Sequence, residues 1–333
     1  MGTNKTTRLS ARETADWLRE RDDFLILTHR RPDGDALGSA AGLTNGLRGI
    51  GKTAYVLENP ETTPRYQAYV SPYLAPPGFA PQTTLSVDTA DTRILAANAC
   101  QYAQRVDLSI DHHASNTGYA KFTCLEPALS SCGELVYDIL IALSGEISAG
   151  AAEPLYVALS TDTGCFQYAN VTANSLQVGA ALIEAGADHR AVNKKLFRTK
   201  SRGRMALDGA LYTDLRYDYD GRAATGVLTL ELMERCGVTE DDLDDIAAIP
   251  NLAEGVQVGI VVRELEDGSC KASVRTSPGV DAGEICGKFG GGGHSMAAGC
   301  LVGMSPEDTA AALIKTLGEL FKKSSPKPPQ KLQ

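Results

Sequence analysis

A chain of 333 residues, 43% hydrophobic and 22% charged, is long enough for two domains with separate cores and has the balance of a globular protein. Its formal charge of −9 argues against gripping long duplex nucleic acid, which takes many Lys and Arg contacts to phosphate. A small phosphorylated substrate is not excluded, because bound divalent cations reverse charge locally. The eight cysteines form no CxxC pair, which speaks against a zinc ribbon or disulfide framework and for reduced thiols in a cytoplasm. No apolar run is long enough for a membrane span, and there is no signal-peptide core. The hexapeptide starting at Met1 fits the myristoylation pattern, which is short enough to arise by chance.

In chain order, 10-SARETADWLRERDD-23 predicts an amphipathic helix capped by Ser10. Three short apolar runs follow, each predicting a buried strand that ends in polar residues. Phe24–Leu27 leads to Thr28 and His29, 85–87 to Asp88, and 108–110 to Asp111, His112 and His113. Helical patterns at 36–49 and 91–104 lie between them, so βαβ units and a parallel sheet are expected, with a site beyond the carboxyl ends of the strands. Further helices are expected at 133–143, 150–160 and 173–186. The basic stretch 188–214 reads as a helical connection with a solvated charged face. Runs 225–232, 256–265 and 270–277 predict strands, with helices at 239–248, 281–289 and beyond the Ser305–Pro306 cap. The fold class is therefore α/β: an N-terminal parallel-sheet domain with helices on both faces, plus a smaller α+β domain. The expected boundaries are 1–190, a helical basic linker at 191–222, a second domain at 223–322 and a proline-rich, disordered tail at 323–333.

The chemistry concentrates at the strand ends. His29, Asp33 and Asp35 fall within seven positions, and three of the five histidines lie in 28-THRRPDGDALGS-39 and 110-IDHHAS-115. Ions such as Mn²⁺ take imidazole and carboxylate ligands together, whereas thiolates favour softer ions. Two carboxylates one residue apart on a tight loop can face different ions. Asp88 can bridge them, and His112 and Asp162 complete the ligand set of the second ion. Taken alone, a DGD is more often a solvated turn and a buried histidine more often a satisfied core residue. Their joint position at strand ends points to a hydrolytic metalloenzyme.

The chain resembles the DHH phosphoesterase superfamily, in its DHH–DHHA1 branch, from about residue 8 to 320. The matching motifs are 29-HRRPDGDALGS-39, 86-SVDTADTR-93, 111-DHH-113, 160-STDTG-164 and 290-GGGGHSMAAG-299. The layout is most similar to stand-alone nanoRNases that also act as pAp phosphatases. The resemblance implies two divalent ions, Mn²⁺ foremost with Co²⁺ or Mg²⁺ as alternatives. One would be held by His29, Asp33 and Asp88, the other by Asp35, Asp88, His112 and Asp162. It implies Asp111 as the group orienting an imidazole and His113 as a donor near the scissile oxygen. Arg275 and the loop of Gly291, Gly292, Gly293 and His294 would take a substrate phosphate in the smaller domain, across a cleft. Ser295–Met296 departs from relatives that often carry proline there, which bears on finer specificity.

The implied activity is two-metal hydrolysis of short single-stranded oligoribonucleotides and linear dinucleotides such as pApA to mononucleotides, and of pAp to AMP. No membrane or long duplex is expected as a partner, and a homodimer is compatible with the sequence. A family II inorganic pyrophosphatase is the alternative enzyme. Its basic C-terminal motif has only the echo 322-KKSS-325 here. An inactive nucleotide-binding sensor is the alternative of another class, and the filled set of six ligand positions weighs against it.

Overall fold

The computed structural model describes residues 6–323; the tail from Ser324, with the second half of 322-KKSS-325, and residues 1–5 of the myristoylation-like hexapeptide lie outside the described residues. The chain divides between Thr199 and Lys200 into two compact units. The first contains β1 (Thr7–Arg8), α1 (Ala11–Arg19), β2 (Phe24–Leu27), α2 (Gly34–Gly49), β3 (Ala54–Val56), α3 (Pro64–Val70), β4 (Thr83–Val87), β5 (Leu108–Asp111), β6 (Phe122–Leu125), α4 (Cys132–Ser144), α5 (Ala149–Asp162), α6 (Ala173–Glu184) and α7 (His189–Asn193).

Its six strands are all parallel, in the order β1-β6-β5-β4-β2-β3. From β2 the chain moves outward to β3, then returns to place β4 on the other side of β2. The ends of β2 and β4 therefore flank a topological switch point, where open α/β sheets place their ligands. Both faces of the sheet are covered. Phe24 and Ile26 pack with residues of α1, α2, α4 and α5, while Leu25 and Leu27 pack with Leu95, Ala96 and Ala99 on the opposite face. That second layer differs from the helix expected over 91–104. It consists of two 3₁₀ segments, Thr92–Ile94 and Ala97–Tyr102. The physical reason is visible in the backbone. Arg30 N–H donates to Ile94 O and Ala96 N–H to Thr28 O, tying this stretch to the exit of β2, and a continuous helix would consume those groups internally.

Helices α2 and α5 pack unusually closely because glycine repeats at every fourth residue of α2. A Cβ at Gly34 would come within 2.8 Å of Thr161 Cβ, one at Gly38 would fall on Pro154 O and 2.7 Å from Ala158 N, and one at Gly42 would meet Leu155 Cδ2 at 2.6 Å. Spacing of four keeps these positions on one helix face. Pro154 lies inside α5 and has no N–H for the Gly150 carbonyl; the Tyr73 hydroxyl donates to that carbonyl instead, at 3.1 Å. The N-terminus of α2 and the C-terminus of α5 are thereby held side by side.

The second unit contains α8 (Arg202–Asp214), β7 (Arg216–Asp218), β8 (Ala223–Leu228), α9 (Leu230–Cys236), β9 (Val258–Glu264), β10 (Cys270–Thr276), α10 (Ala282–Gly287), β11 (Gly292–His294), β12 (Ala297–Val302) and α11 (Pro306–Lys323). Its sheet runs β11-β12-β10-β9-β8-β7, antiparallel except for the β8–β9 pair. Ile260 and Val262 share a core with Leu313 and Leu317 of α11, and Val261 shares another with Leu207 and Leu211 of α8. The stretch expected as a linker at 191–222 is divided between cores: Val192 and Leu196 belong to the first unit's, Leu207 and Leu211 to the second's. The helix expected at 239–248 is replaced by two 3₁₀ segments, Glu240–Leu243 and Ile246–Leu252, interrupted by Asp245 at φ 60°. The strand expected to reach residue 232 stops at Leu228, where Thr229 caps α9.

Candidate metal centre

Each element delivers its polar residue to one end of the first unit's sheet. His29 follows β2, Asp33 is the N-cap of α2, Asp35 lies in that helix's first turn, Asp88 follows β4, His112 and His113 follow β5, and Asp162 ends α5. Ligand atoms of His29, Asp33 and Asp88 lie within 4.8 Å of one another, as do those of Asp35, His112 and Asp162, and those of Asp88, His112 and His113. The six positions singled out from the sequence thus converge, and Asp88 belongs to two of the three trios. His29 Nε2 is 3.7 Å from Asp88 Oδ2 and 3.9 Å from Asp33 Oδ1. His112 Nε2 is 3.5 Å from Asp88 Oδ1, 3.6 Å from Asp35 Oδ2 and 3.7 Å from Asp162 Oδ2. These separations are too long for hydrogen bonds and suit atoms arranged around a shared cation.

The imidazoles are presented for coordination. His29 Nδ1 lies 2.8 Å from Arg30 O and His112 Nδ1 lies 3.2 Å from Leu129 O. A carbonyl can only accept, so each Nδ1 carries the proton and each Nε2 lone pair faces the carboxylates. Asp88 supplies a second test. Its Oδ1 is buried and accepts no hydrogen bond among the described residues, a costly state unless a cation completes it. Its backbone is also left-handed, at φ 50°, which costs a non-glycine residue about 1–3 kcal/mol.

The carboxylates repel one another. Burial first, then the charges of Asp88 and Asp162, push the Asp35 carboxyl well above its ordinary range. Burial, opposed by His112 and reinforced by Asp88, raises Asp162 to about 6. Divalent cations relieve both penalties, so the donor set fits the ions. Asp35 has a further role: its oxygens accept from Cys132 N and Gly133 N at the start of α4, at 2.7 and 2.9 Å.

Asp111 and His113 form a separate pair beside the cluster. His113 Nδ1 is 2.8 Å from Asp111 Oδ1, leaving Nε2 for another partner, and the side chain is 46% exposed. The bond to Asp111, working against burial, raises His113 to about 9. Bonds from His113 and Asn116 outweigh burial and lower Asp111.

A polar network behind these groups was not singled out from the sequence. Asn116 Nδ2 donates to Asp111 Oδ2 at 2.6 Å. The buried Tyr119 hydroxyl donates to Thr89 O at 2.9 Å and lies 2.7 Å from Ser86 Oγ, bracing the left-handed turn at Asp88. Asn170 Nδ2 donates to Asp162 O and Ser130 O, at 3.0 and 3.1 Å. These residues carry no spacing signal; only tertiary contact reveals them.

The glycine-rich motif lies in the second unit. A Cβ at Gly291 would come within 2.7 Å of Cys300 Cα, and one at Gly293, which has φ 153°, within 2.5 Å of Ala297 O. Gly292 faces open space, so its bare backbone is not required by packing. Strand register aligns Arg275 with Ala297 and Ala297 with His294. Arg275 and His294 therefore share one sheet face, with a small side chain between them.

Residues 23–159 match the DHH family, N-terminal domain, and residues 225–323 match the DHHA1 domain. The bifunctional oligoribonuclease and PAP phosphatase NrnA of Thermus thermophilus is 32% identical over 281 residues, 82% of each chain. The chain belongs to the DHH family. Membership makes it a metal-dependent hydrolase of phosphoester bonds. The protein of the same description from Bacillus subtilis is 24% identical over 84% of this chain and 90% of its own. An exopolyphosphatase-related protein from Bacteroides fragilis shares the fold, with TM-score 0.85, 22% identity and coverage of 94% and 96% of the two chains. The DHHA1 match weighs against the pyrophosphatase alternative. Among the described residues no helix is long and apolar enough to cross a membrane, and all eight cysteines are free.

Proposed function

We propose that this DHH-family protein hydrolyses short single-stranded oligoribonucleotides and linear dinucleotides such as pApA to mononucleotides, and pAp to AMP, in the cytoplasm. The observation that carries the reading is the buried Asp88 carboxylate, with one oxygen beside His29 and the other beside His112 of the Asp35–His112–Asp162 trio. His29, Asp33 and Asp88 would hold one divalent ion, and Asp35, Asp88, His112 and Asp162 the other, with Mn²⁺ the expected ion. Such a pair neutralises phosphoryl oxygens and acidifies water, which supplies a nucleophile near neutral pH.

The protein's own groups would do the rest. Asp111 fixes the His113 ring through Nδ1, so Nε2 can donate to the oxygen that leaves phosphorus. Asp35 ties the cluster to the start of α4, so the ligands sit on rigid elements. Arg275, the Gly291–Gly293 backbone and His294 would take a terminal phosphate, whose close approach bare glycine N–H groups permit. The NrnA relatives, whose names specify oligoribonuclease and PAP phosphatase activities, support this substrate class.

The test is a product assay with pAp, pApA and oligomers of two to ten nucleotides, run in parallel with Mn²⁺, Co²⁺ and Mg²⁺. Mononucleotides from the shortest oligomers and AMP from pAp are expected. Tight nucleotide binding without turnover would favour the sensor instead. Sedimentation of the full chain tests the homodimer.

A further inference from the structure

The cluster opens into a cleft of about 440 Å³ that is lined also by Arg93, Asp91, Ser115 and Thr117. Arg93 is the one permanently charged cation among the described residues lining it; the other charged groups there are carboxylates and imidazoles. Its guanidinium is held as a fork by Asp91, with Nε 2.9 Å from Oδ1 and Nη2 2.9 Å from Oδ2. Asp91 is itself fixed by the backbone N–H of Arg93, at 2.8 Å, and the hydrogen bonds from Arg93 hold its carboxyl down at about 2. The Arg93 side chain is nonetheless 84% exposed.

A guanidinium has five N–H donors, and this fork uses two. Among the described residues the remaining three, including both on Nη1, meet no acceptor and can serve a second one while the first stays bound. An exposed ion pair of this kind adds little to stability, so the arrangement is poorly explained as a structural clasp. The charge balance gives it a use. Four candidate-ligand carboxylates cancel the charge of two divalent ions, and a phosphate entering the cleft brings negative charge of its own. We propose that Arg93, pre-oriented by Asp91, anchors the substrate by donating to a non-bridging phosphate oxygen of the bound nucleotide. The planar fork suits this better than lysine would, because it can face a carboxylate and a phosphate at once. Arg93 is thus a substrate-binding residue and Asp91 its positioning residue.

This inference rests on the proposed nucleotide hydrolysis. Its test compares wild type with Arg93→Gln, Arg93→Lys and Asp91→Asn on pApA and pAp, with Mn²⁺ affinity and melting temperature measured in parallel. Arg93→Gln should raise KM about 10- to 100-fold, the range for losing a charge-assisted hydrogen bond to a bound anion. Mn²⁺ affinity and melting temperature should hold. Arg93→Lys should recover part of the loss, and Asp91→Asn should raise KM less than Arg93→Gln. Unchanged KM in Arg93→Gln, with the wild type active, would overturn the assignment and leave a local turn clasp. Loss of Mn²⁺ affinity would also overturn it, by moving Arg93 into the support of the cluster. A wild type that turns over neither substrate would overturn the nucleotide reading and this inference with it.

Discussion

Gly38→Ala tests whether the close approach of α2 and α5 sets the ligand spacing. The added methyl would fall on the backbone carbonyl of Pro154 and 2.7 Å from the backbone nitrogen of Ala158. Backbone cannot rotate away as a side chain can. Ordinary carbon contacts lie at roughly 3.5–4.0 Å, so the helices must part by about 1 Å. Overpacking of this kind costs about 1–3 kcal/mol. In a unit of this size that lowers the melting temperature by roughly 2–12 °C. The movement also carries Asp33 and Asp35 away from Asp162, and a misplacement of about 1 Å costs on the order of 100-fold in rate. The assay is thermal unfolding and steady-state hydrolysis of pApA at saturating Mn²⁺. Gly49→Ala is the control: nothing lies within 4 Å of its Cβ position, at the far end of the same helix, so it should leave turnover alone and add up to about 1 kcal/mol of helix stability. Wild-type melting and turnover in Gly38→Ala would refute the packing argument. Lower stability with unchanged kcat would refute its link to the site.

Two further predictions follow from the groups around the cluster. Tyr119→Phe removes the donor to Thr89 O that braces the Asp88 turn; Mn²⁺ affinity, read by titration calorimetry, should fall about 10- to 100-fold with little change in melting temperature, and unchanged affinity would show that the turn holds itself. In chelator, Asp35 and Asp162 have raised pKa values in the fold, Asp162 from 3.8 to about 6, so the folded state binds protons that the unfolded chain has released. Stability is then fully present at low pH and is lost as pH rises through that window, so the metal-free protein should melt lower at pH 7 than at pH 5. Added Mn²⁺ should raise the melting temperature more at pH 7 than at pH 5, and the opposite order would contradict the carboxylate repulsion.

Much of this architecture was legible in the sequence where one physical signal dominated. The runs ending at Leu27, Val87 and Asp111 are strands because short segments carrying bulky apolar residues, with every residue buried, suit a sheet covered on both faces. The candidate ligand positions lay at the ends of those runs, and the structure brings them together at one end of the sheet. Residues 91–104 misled because their composition suits a helix, while backbone bonds to Thr28 and Arg30 hold them in 3₁₀ turns. The stretch 239–248 misled because a left-handed Asp245 leaves no local pattern. The alternation Thr229-Leu230-Glu231-Leu232 imitates a strand, yet Thr229 caps a helix. Strand β3 was passed over because three residues carry too little periodicity. At the site, Asn116, Tyr119 and Asn170 act through hydrogen bonds to groups 5, 30 and 8 residues away, distances that no motif encodes.

The most direct test of the shared-carboxylate centre is hydrolysis of pApA by wild type and Asp88→Ala, each with saturating Mn²⁺ and again in excess chelator. The wild type should work with Mn²⁺ and stop in chelator, and Asp88→Ala should show no turnover above background in either. Substantial hydrolysis by Asp88→Ala, or full-speed wild-type activity in chelator, would contradict the two-ion centre.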